Sequence, residues 1–425
     1  RKRCIMLSRK RVRALVVLGV ALLGAAPAAA AQQEGPPPPI PLPGMYDGGY
    51  LVFQSADSAF KYWLDARAQI DAADYLGAKN ALATGVGIRR ARLGVKSTLW
   101  RTWEGEIDVD FAGDAVEVKD LWIGYAGWSN SLIRVGNFKE PFSLETLTSS
   151  KYITFLERSY IDNFSPDRHI GLSYSRWSDR WQFSAGVFGQ GSGDVDATGQ
   201  NQGYGVTGRF TVAPILADRK VLHLGGAVSR RTPDAAAPAS AEQLRIRARP
   251  ETNINKARFL STGKILSVDN EFLYNGELAG VYGPFSLQAE YTHADVHRLH
   301  GLSTASFWGG YAFVSYFLTG ESRRYLVSEG EFDRVYPRST SGAWEIAARV
   351  STMDLDDAAA SVNILGGKGT NYTLGLNWYV NPNFRMMANY VRVVLNGNAK
   401  PDGGTAPFVT GDKFNIVQVR AALSL

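Results

Sequence analysis

Along most of this chain, apolar side chains recur at every second position. From Tyr62 to Asp71, Tyr62, Leu64, Ala66, Ala68 and Ile70 share one face, and Trp63, Asp65, Arg67, Gln69 and Asp71 share the other. A strand sends successive side chains to opposite sides, so this segment reads as a strand with one apolar and one polar face. Ala91, Leu93, Val95 and Leu99 likewise oppose Arg90, Arg92 and Lys96, and Ile107, Val109 and Phe111 oppose Glu106, Asp108 and Asp110. Phe285, Leu287, Ala289 and Tyr291 oppose Ser286, Gln288, Glu290 and Thr292; Tyr372, Leu374, Leu376 and Trp378 oppose Thr373, Gly375 and Asn377. About sixteen such segments can be placed, at 61–74, 87–99, 101–112, 116–127, 131–138, 169–177, 179–189, 203–213, 221–230, 243–250 or 271–281, 283–294, 305–318, 342–352, 370–380, 383–395 and 413–425. No window prefers the helical period.

The connections differ in length. Leu99 to Glu104, Gly127 to Ser131, Ser178 to Arg180 and Val380 to Asn383 are tight, while 139–168, 190–202, 231–242, 319–341 and 396–412 are long. Short turns at one end and long loops at the other mark an outer-membrane barrel. Lipid cannot satisfy an open sheet edge, so the sheet must close. A secreted β-sandwich or solenoid would alternate too, but its apolar faces would share a core. It would not need aromatic residues at the ends of apolar faces, as at Trp100, Trp103, Tyr125, Trp128, Tyr291 and Trp378. The pattern therefore predicts an all-β protein, a transmembrane antiparallel β-barrel of about 16 strands with an inward-folded constriction loop.

That loop is expected within residues 139–168, in GNFKEPFSLETLTSSKYITFLERS and the residues after it. Pro141 and the local Ser content stop the strand. Phe138, Phe142, Phe155 and Leu156 can pin the loop to the wall, and Glu145, Lys151, Glu157 and Arg158 can bond the wall or face the channel.

The N-terminus changes the charge picture. Residues 1–13 hold seven Lys or Arg and no acid, followed by the apolar run LVVLGVALLGAAPAAAAQQ. This reads as a signal peptide over 1–31, cut after Ala30 or Ala31. A proline-rich lead-in over 32–60 and the barrel over 61–425 follow. The chain has 46 basic and 40 acidic side chains, and the signal segment takes seven of the basic ones, leaving 39. The mature balance gives no reason to expect nucleic-acid binding. The one cysteine, Cys4, also lies in the signal segment, so no disulfide or thiolate metal site is expected.

By parity Arg67, Arg90 and Arg92 project to the polar face, and Arg245, Arg247 and Arg249 share a face in LRIRARP. Arginines stay charged and bind oxyanions through several donors, and a spacing of about 6.6 Å suits passage between weak sites. The acid row Glu104, Glu106, Asp108 and Asp110 can pair across to Arg90, Arg92 and Lys96, so selectivity does not follow from charge counts.

Three stretches, IRRARLGVKSTLWRTWEGEIDVDFAG, the GNFKEPF loop, and the late GAWEI, YTLGLNWYVNPN and ANYV runs, together resemble the phosphate-selective porin O and P family of Gram-negative outer membranes. The resemblance covers roughly 60–425. It implies a sixteen-stranded barrel, a homotrimer, and a diffusion channel whose arginine ladder leads to a lysine-rich constriction. On this pattern Arg67 is the first-strand arginine, Arg89 and Arg90 are the paired arginines, and Arg245, Arg247 and Arg249 are the periodic run. Arg158 is the arginine of the L-E-R motif. The family's constriction lysines fall instead at Thr146, His297 and Ser303, and its pore-centre aspartate falls beside Lys119 or Asp120. The last residue is Leu425 where such barrels usually end in an aromatic residue.

No catalytic constellation emerges. His293, His297 and His300 have a helical spacing in a strand or loop region, and no serine sits in a nucleophile elbow. The expected function is an outer-membrane porin, anion-preferring, for phosphate or other small anions and solutes, with no enzyme activity, cofactor or metal. Its partners would be the solutes in transit, membrane lipid and two copies of itself. A porin without phosphate specificity and a non-conducting structural barrel are the alternatives.

Overall fold

In the computed structural model, residues 45–47, 49–113, 115–191, 202–233, 244–402 and 408–425 are described. The signal segment 1–31 and residues 32–44 of the lead-in lie outside these residues.

Sixteen antiparallel strands form one closed sheet. In chain order they are β1 (Phe60–Leu76), β2 (Gly85–Leu99), β3 (Trp103–Asp110), β4 (Glu117–Tyr125), β5 (Ser131–Lys139), β6 (Arg168–Trp177), β7 (Trp181–Phe188) and β8 (Gly205–Ala217). There follow β9 (Lys220–Arg231), β10 (Val268–Tyr282), β11 (Phe285–Arg298), β12 (Ala305–Phe317), β13 (Ala343–Asp357), β14 (Ile364–Tyr379), β15 (Phe384–Leu395) and β16 (Lys413–Ser424). Each strand pairs with the next, and β16 returns to β1 with Val419 opposite Ala72. Of the two spans left open by periodicity, 271–281 lies in β10, whereas 243–250 falls in the connection before it.

The period-two pattern decides which face is which. On β14, Tyr372, Leu374 and Leu376 are exposed, while the intervening Asn371, Thr373 and Asn377 are covered. On β1, Asp65, Arg67, Gln69 and Asp71 are covered and Ile70 is exposed. Apolar out and polar in is the arrangement of a barrel in lipid. Outward aromatic rings gather at the short-turn end: Trp103 meets Tyr125 at 5.3 Å between centroids, Tyr125 meets Trp128 at 5.5 Å, and Trp344 stacks on Trp378 at 5.3 Å. They match an interfacial girdle.

Two features depart from the expected pattern. A hairpin of Met45–Asp47 and Tyr50–Gln54 lies inside the expected lead-in and extends the β1 edge, with Leu51 opposite Leu64. The other is the connection 318–342, read above as one of the long loops. It joins β12 to β13 and so leaves the barrel at the end of the tight turns, the periplasmic end by the rule for such barrels. It is not a plain turn. Tyr325–Leu326 pairs with Glu331–Phe332, and Arg209 of β8 donates to the carbonyls of Glu329 and Gly330 at 3.2 and 2.8 Å. Gly330 has φ +62°, and a Cβ there would meet Thr211 Oγ1 at 2.7 Å, so only glycine fits this tip.

Near the long-loop end, the inner face changes character. Met353 and Leu355 of β13, Val391, Val393 and Leu395 of β15, and Phe414 and Ile416 of β16 are covered and share one apolar cluster. Phe142, Tyr160 and Phe164 of the β5–β6 connection join it, as do Ile246, Ala248, Phe259 and Leu260 of the β9–β10 connection. Part of the barrel interior is therefore a packed core rather than a wetted wall.

Candidate permeation pathway

The charged wall begins where β2 meets its neighbours. The register sets Arg92 opposite Asp110 and Lys96 opposite Glu106. Arg92 Nε reaches Asp110 at 2.7 Å and its guanidinium lies 3.6 Å from Asp108; Lys96 Nζ lies 3.4 Å from Glu106. Arg92 and Lys96 thus pair across adjacent strands with Glu106, Asp108 and Asp110, whereas Glu104 has no salt bridge among the described residues.

Strict alternation cannot send both Arg89 and Arg90 inward. A bulge does: Gln69 pairs with Arg90 and Ile70 with Ile88, leaving Arg89 as the extra residue. Arg90 then donates to Gln69 Oε1 at 2.8 Å, and Arg89 makes a two-pronged pair with Glu157 at 2.7 and 2.9 Å. Bulges re-aim side chains in this way. A second bulge, between Asp108 and Val109 on β3, leaves Lys119 of β4 as its extra residue. Lys119 pairs with Glu117, while Asp120 is covered and takes Arg168 at 2.8 Å. Asp120 rather than Lys119 is the inward residue, and its charge is matched by Arg168.

The β5–β6 connection carries a single helical turn, Leu144–Leu147, capped by Ser143. The backbone N–H groups of Leu144 and Glu145 donate to the Glu290 carboxylate of β11 at 3.0 and 2.8 Å. A carboxylate at the start of a helical turn satisfies donors that have no partner within it. Further along, Leu156 N–H donates to Asn389 and the Leu156 carbonyl accepts from Arg420. Asn377 donates to the carbonyl of Thr154 and Arg385 to that of Ile153. Glu157 receives Arg420 at 2.7 Å as well as Arg89. Burial alone pushes the Glu157 carboxyl up, but the two guanidiniums overcome it and hold the group well below the ordinary carboxylate range. Burial pushes Glu145 up, against the pull of Arg349 at 3.2 Å. Arg349 of β13 also donates to the Glu157 carbonyl at 3.1 Å and to Glu251 at 2.6 Å.

Lys151 pairs with Asp65 at 2.7 Å, and Arg67 donates to Ser150 at 2.7 Å. Arg158 bonds the carbonyls of Glu145 and Thr148 within its own connection. Thr146 donates to Asp162 or Ser165 at 2.9 Å, and its carbonyl accepts from Lys139 Nζ, which also reaches the Leu147 carbonyl at 3.2 Å. A lysine therefore stands beside Thr146 after all, supplied by the end of β5. Sequence matching along the loop misses it because it precedes the loop.

The β9–β10 connection holds the arginine run. Arg245 pairs with Asp402, Arg249 bonds Asn253 at 2.8 Å, and Arg247–Ala248 pairs with Leu260–Ser261. Glu251, between these segments, joins Arg349 and accepts from Thr373 at 3.5 Å. This connection was read only for its arginines; its Glu251 and apolar residues tie it to the inner wall.

His297 and Ser303 depart from their expected place at a constriction. His297 is exposed on the same side of β11 as Tyr291 and meets Thr304 at 3.1 Å. The Ser303 carbonyl accepts from Arg298 at 2.7 Å in the short β11–β12 connection.

The open space lies between these parts. A cavity of about 750 Å³ is lined by β1–β8, the β5–β6 connection and the 318–342 hairpin. Eleven cationic side chains, including Arg67, Arg90, Arg92, Lys139, Arg158 and Arg168, and eight carboxylates line it. The lining is thus mixed, with a cationic excess.

Comparison with known proteins agrees with this geometry. Residues 63–425 match the family described as Phosphate-selective porin O and P. An uncharacterized protein of Caulobacter vibrioides is 30% identical over 392 residues, covering 87% of this chain and 74% of that protein. Porin O of Pseudomonas aeruginosa is 29% identical over 394 residues, covering 84% and 89%. Among solved structures, the outer membrane channel DcaP of Acinetobacter baumannii has a TM-score of 0.53 at 14% identity, covering 88% of this chain and 99% of that one. An anion-selective porin of Comamonas acidovorans has a TM-score of 0.53 at 11% identity, covering 86% and 100%. The chain is an outer-membrane porin-type barrel, and it belongs to the phosphate-selective porin O and P family.

Proposed function

We propose that this porin is a trimeric, anion-preferring diffusion channel for small anions, without strong phosphate specificity, and that the β5–β6 connection is its constriction loop. The observation that carries the reading is the set of bonds from residues 144–157 to inner-face side chains of β11 and β13–β16. A connection fastened there narrows an otherwise wide lumen. The cationic excess of the adjoining cavity supports anion preference. Weak phosphate specificity follows from the absence of ammonium groups at Thr146, His297 and Ser303; of the lysines at the loop, Lys151 is paired with Asp65, and Lys139 is bonded to the loop carbonyls. A dianion needs several such partners.

Single-channel recording of the refolded protein in a planar bilayer tests this. Openings in steps of three, with only weak block by added phosphate, are expected. Silence from a folded, heat-modifiable barrel would make the connection a seal, and strong phosphate block would overturn the weak-specificity reading.

A further inference from the structure

We propose that the 318–342 connection is a second charge filter at the periplasmic end, in which the carboxylates of Glu329 and Glu331 are specificity-determining and hold the anion preference down. The proposal rests on the channel reading above and adds a residue set to it.

The hairpin is fixed where it can act. Arg209 holds its tip by the carbonyls of Glu329 and Gly330, and Tyr325 meets His223 at 2.7 Å. Arg323 donates to Gln288 at 3.1 Å, and Phe332 packs in one cluster with Leu144 of the β5–β6 connection. Ser328, Glu329, Glu331 and Asp333 line the same cavity as the β1–β8 wall.

The ion pairing of that cavity is uneven. Asp65, Glu106, Asp108 and Asp120 on the wall each have a cationic partner within 4 Å, as does Asp333 of the hairpin at 3.8 Å from Arg324; Glu104 of the wall has no salt bridge among the described residues. Arg209, which grips the hairpin tip, is spent on Glu277 at 2.8 Å and touches the tip only through carbonyls. Among the described residues, no salt bridge reaches Glu329 or Glu331. The cavity's unpaired cations include Arg134, stacked 4.4 Å from the Trp122 ring centroid, and Lys139, bonded only to carbonyls. Charges of both signs that make no salt bridge therefore share one water-accessible space, Glu329 and Glu331 on the hairpin and Arg134 and Lys139 on the wall. Fixed carboxylates along a pore attract cations and repel anions, and the effect falls with salt as the Debye length shrinks to about 10 Å at 0.1 M.

The test is the reversal potential of the full-length channel in a tenfold KCl gradient at low salt, for the parent and for Glu329→Gln/Glu331→Gln. Asp179→Asn, in the exposed β6–β7 turn, controls for a charge change at the same end. The anion-to-cation permeability ratio is expected to rise at least about threefold in the double variant, and the rise should shrink at 1 M salt. If the double variant fails to fold, Glu329→Gln alone suffices, because no bond of its side chain is lost. A ratio that stays at the parent value, or moves no further than with Asp179→Asn, would overturn the proposal. A cation-selective parent whose ratio still shifts would instead refute the anion-preference reading and leave the filter standing.

Discussion

Arg349→Ala probes the attachment of the β5–β6 connection. The Arg349 guanidinium reaches Glu145, the Glu157 carbonyl and Glu251, and lies 4.4 Å from the Phe155 ring centroid. One side chain on β13 thus ties down two connections. Removing it strands two covered carboxylates, and breaking a buried ion pair costs about 3–5 kcal/mol. At about 1.4 kcal/mol per tenfold, that shifts the local undocking equilibrium by roughly two to three and a half orders of magnitude. The barrel itself should survive, since no ladder hydrogen bond is touched. Nor should the whole connection leave. Arg420, Asn389, Asn377 and Arg385 still hold residues 153–156, at roughly 1–3 kcal/mol each. Freedom should appear at the 144–147 turn and at Glu251. The expected result is a heat-modifiable, folded channel with raised conductance and more open-channel noise. Parent-like conductance and noise from a folded variant would show that Arg349 does not fasten the connection.

Two other tests bear on charge. Lys139→Gln removes a basic side chain that lines the cavity and is held only by carbonyls, so the anion-to-cation permeability ratio should fall; an unchanged ratio would remove Lys139 from the path. Burial, then the neighbouring Glu329, pushes the Glu331 carboxyl up to about 7, while Lys139, Arg209 and Lys96 pull it down. A carboxyl so raised is charged above that pH and neutral below it. Anion preference should therefore increase as pH drops from 8 to 5.5, and Glu331→Gln should flatten that change; an equal pH response in the variant would assign it to other groups.

Much of the fold is legible because the chain meets lipid on one side. Each spanning strand must keep an apolar outer face, so period two marks the strands even where their inner faces vary. What was not legible depends on local exceptions to that alternation or on pairing between distant segments. Arg89 reaches the interior through a bulge, which no regular parity count can foresee. The inward apolar ends of β15 and β16 show up only as Val391, Val393, Leu395, Phe414 and Ile416 beside outward Tyr390, Val394 and Val417. A strand apolar on both faces is covered on both, and that signal was available. The position of 318–342 was available as well: it follows the twelfth strand, and every even-numbered strand exits at the turn end. His297 and Ser303 rest on the opposite kind of signal, a match carried across unequal lengths rather than along a strand.

The most direct measurement is the reversal potential of the unmodified channel in a tenfold KCl gradient. The account predicts a potential of the sign set by chloride, modest in size because Glu329 and Glu331 oppose the cationic wall. A potential set by potassium would contradict it.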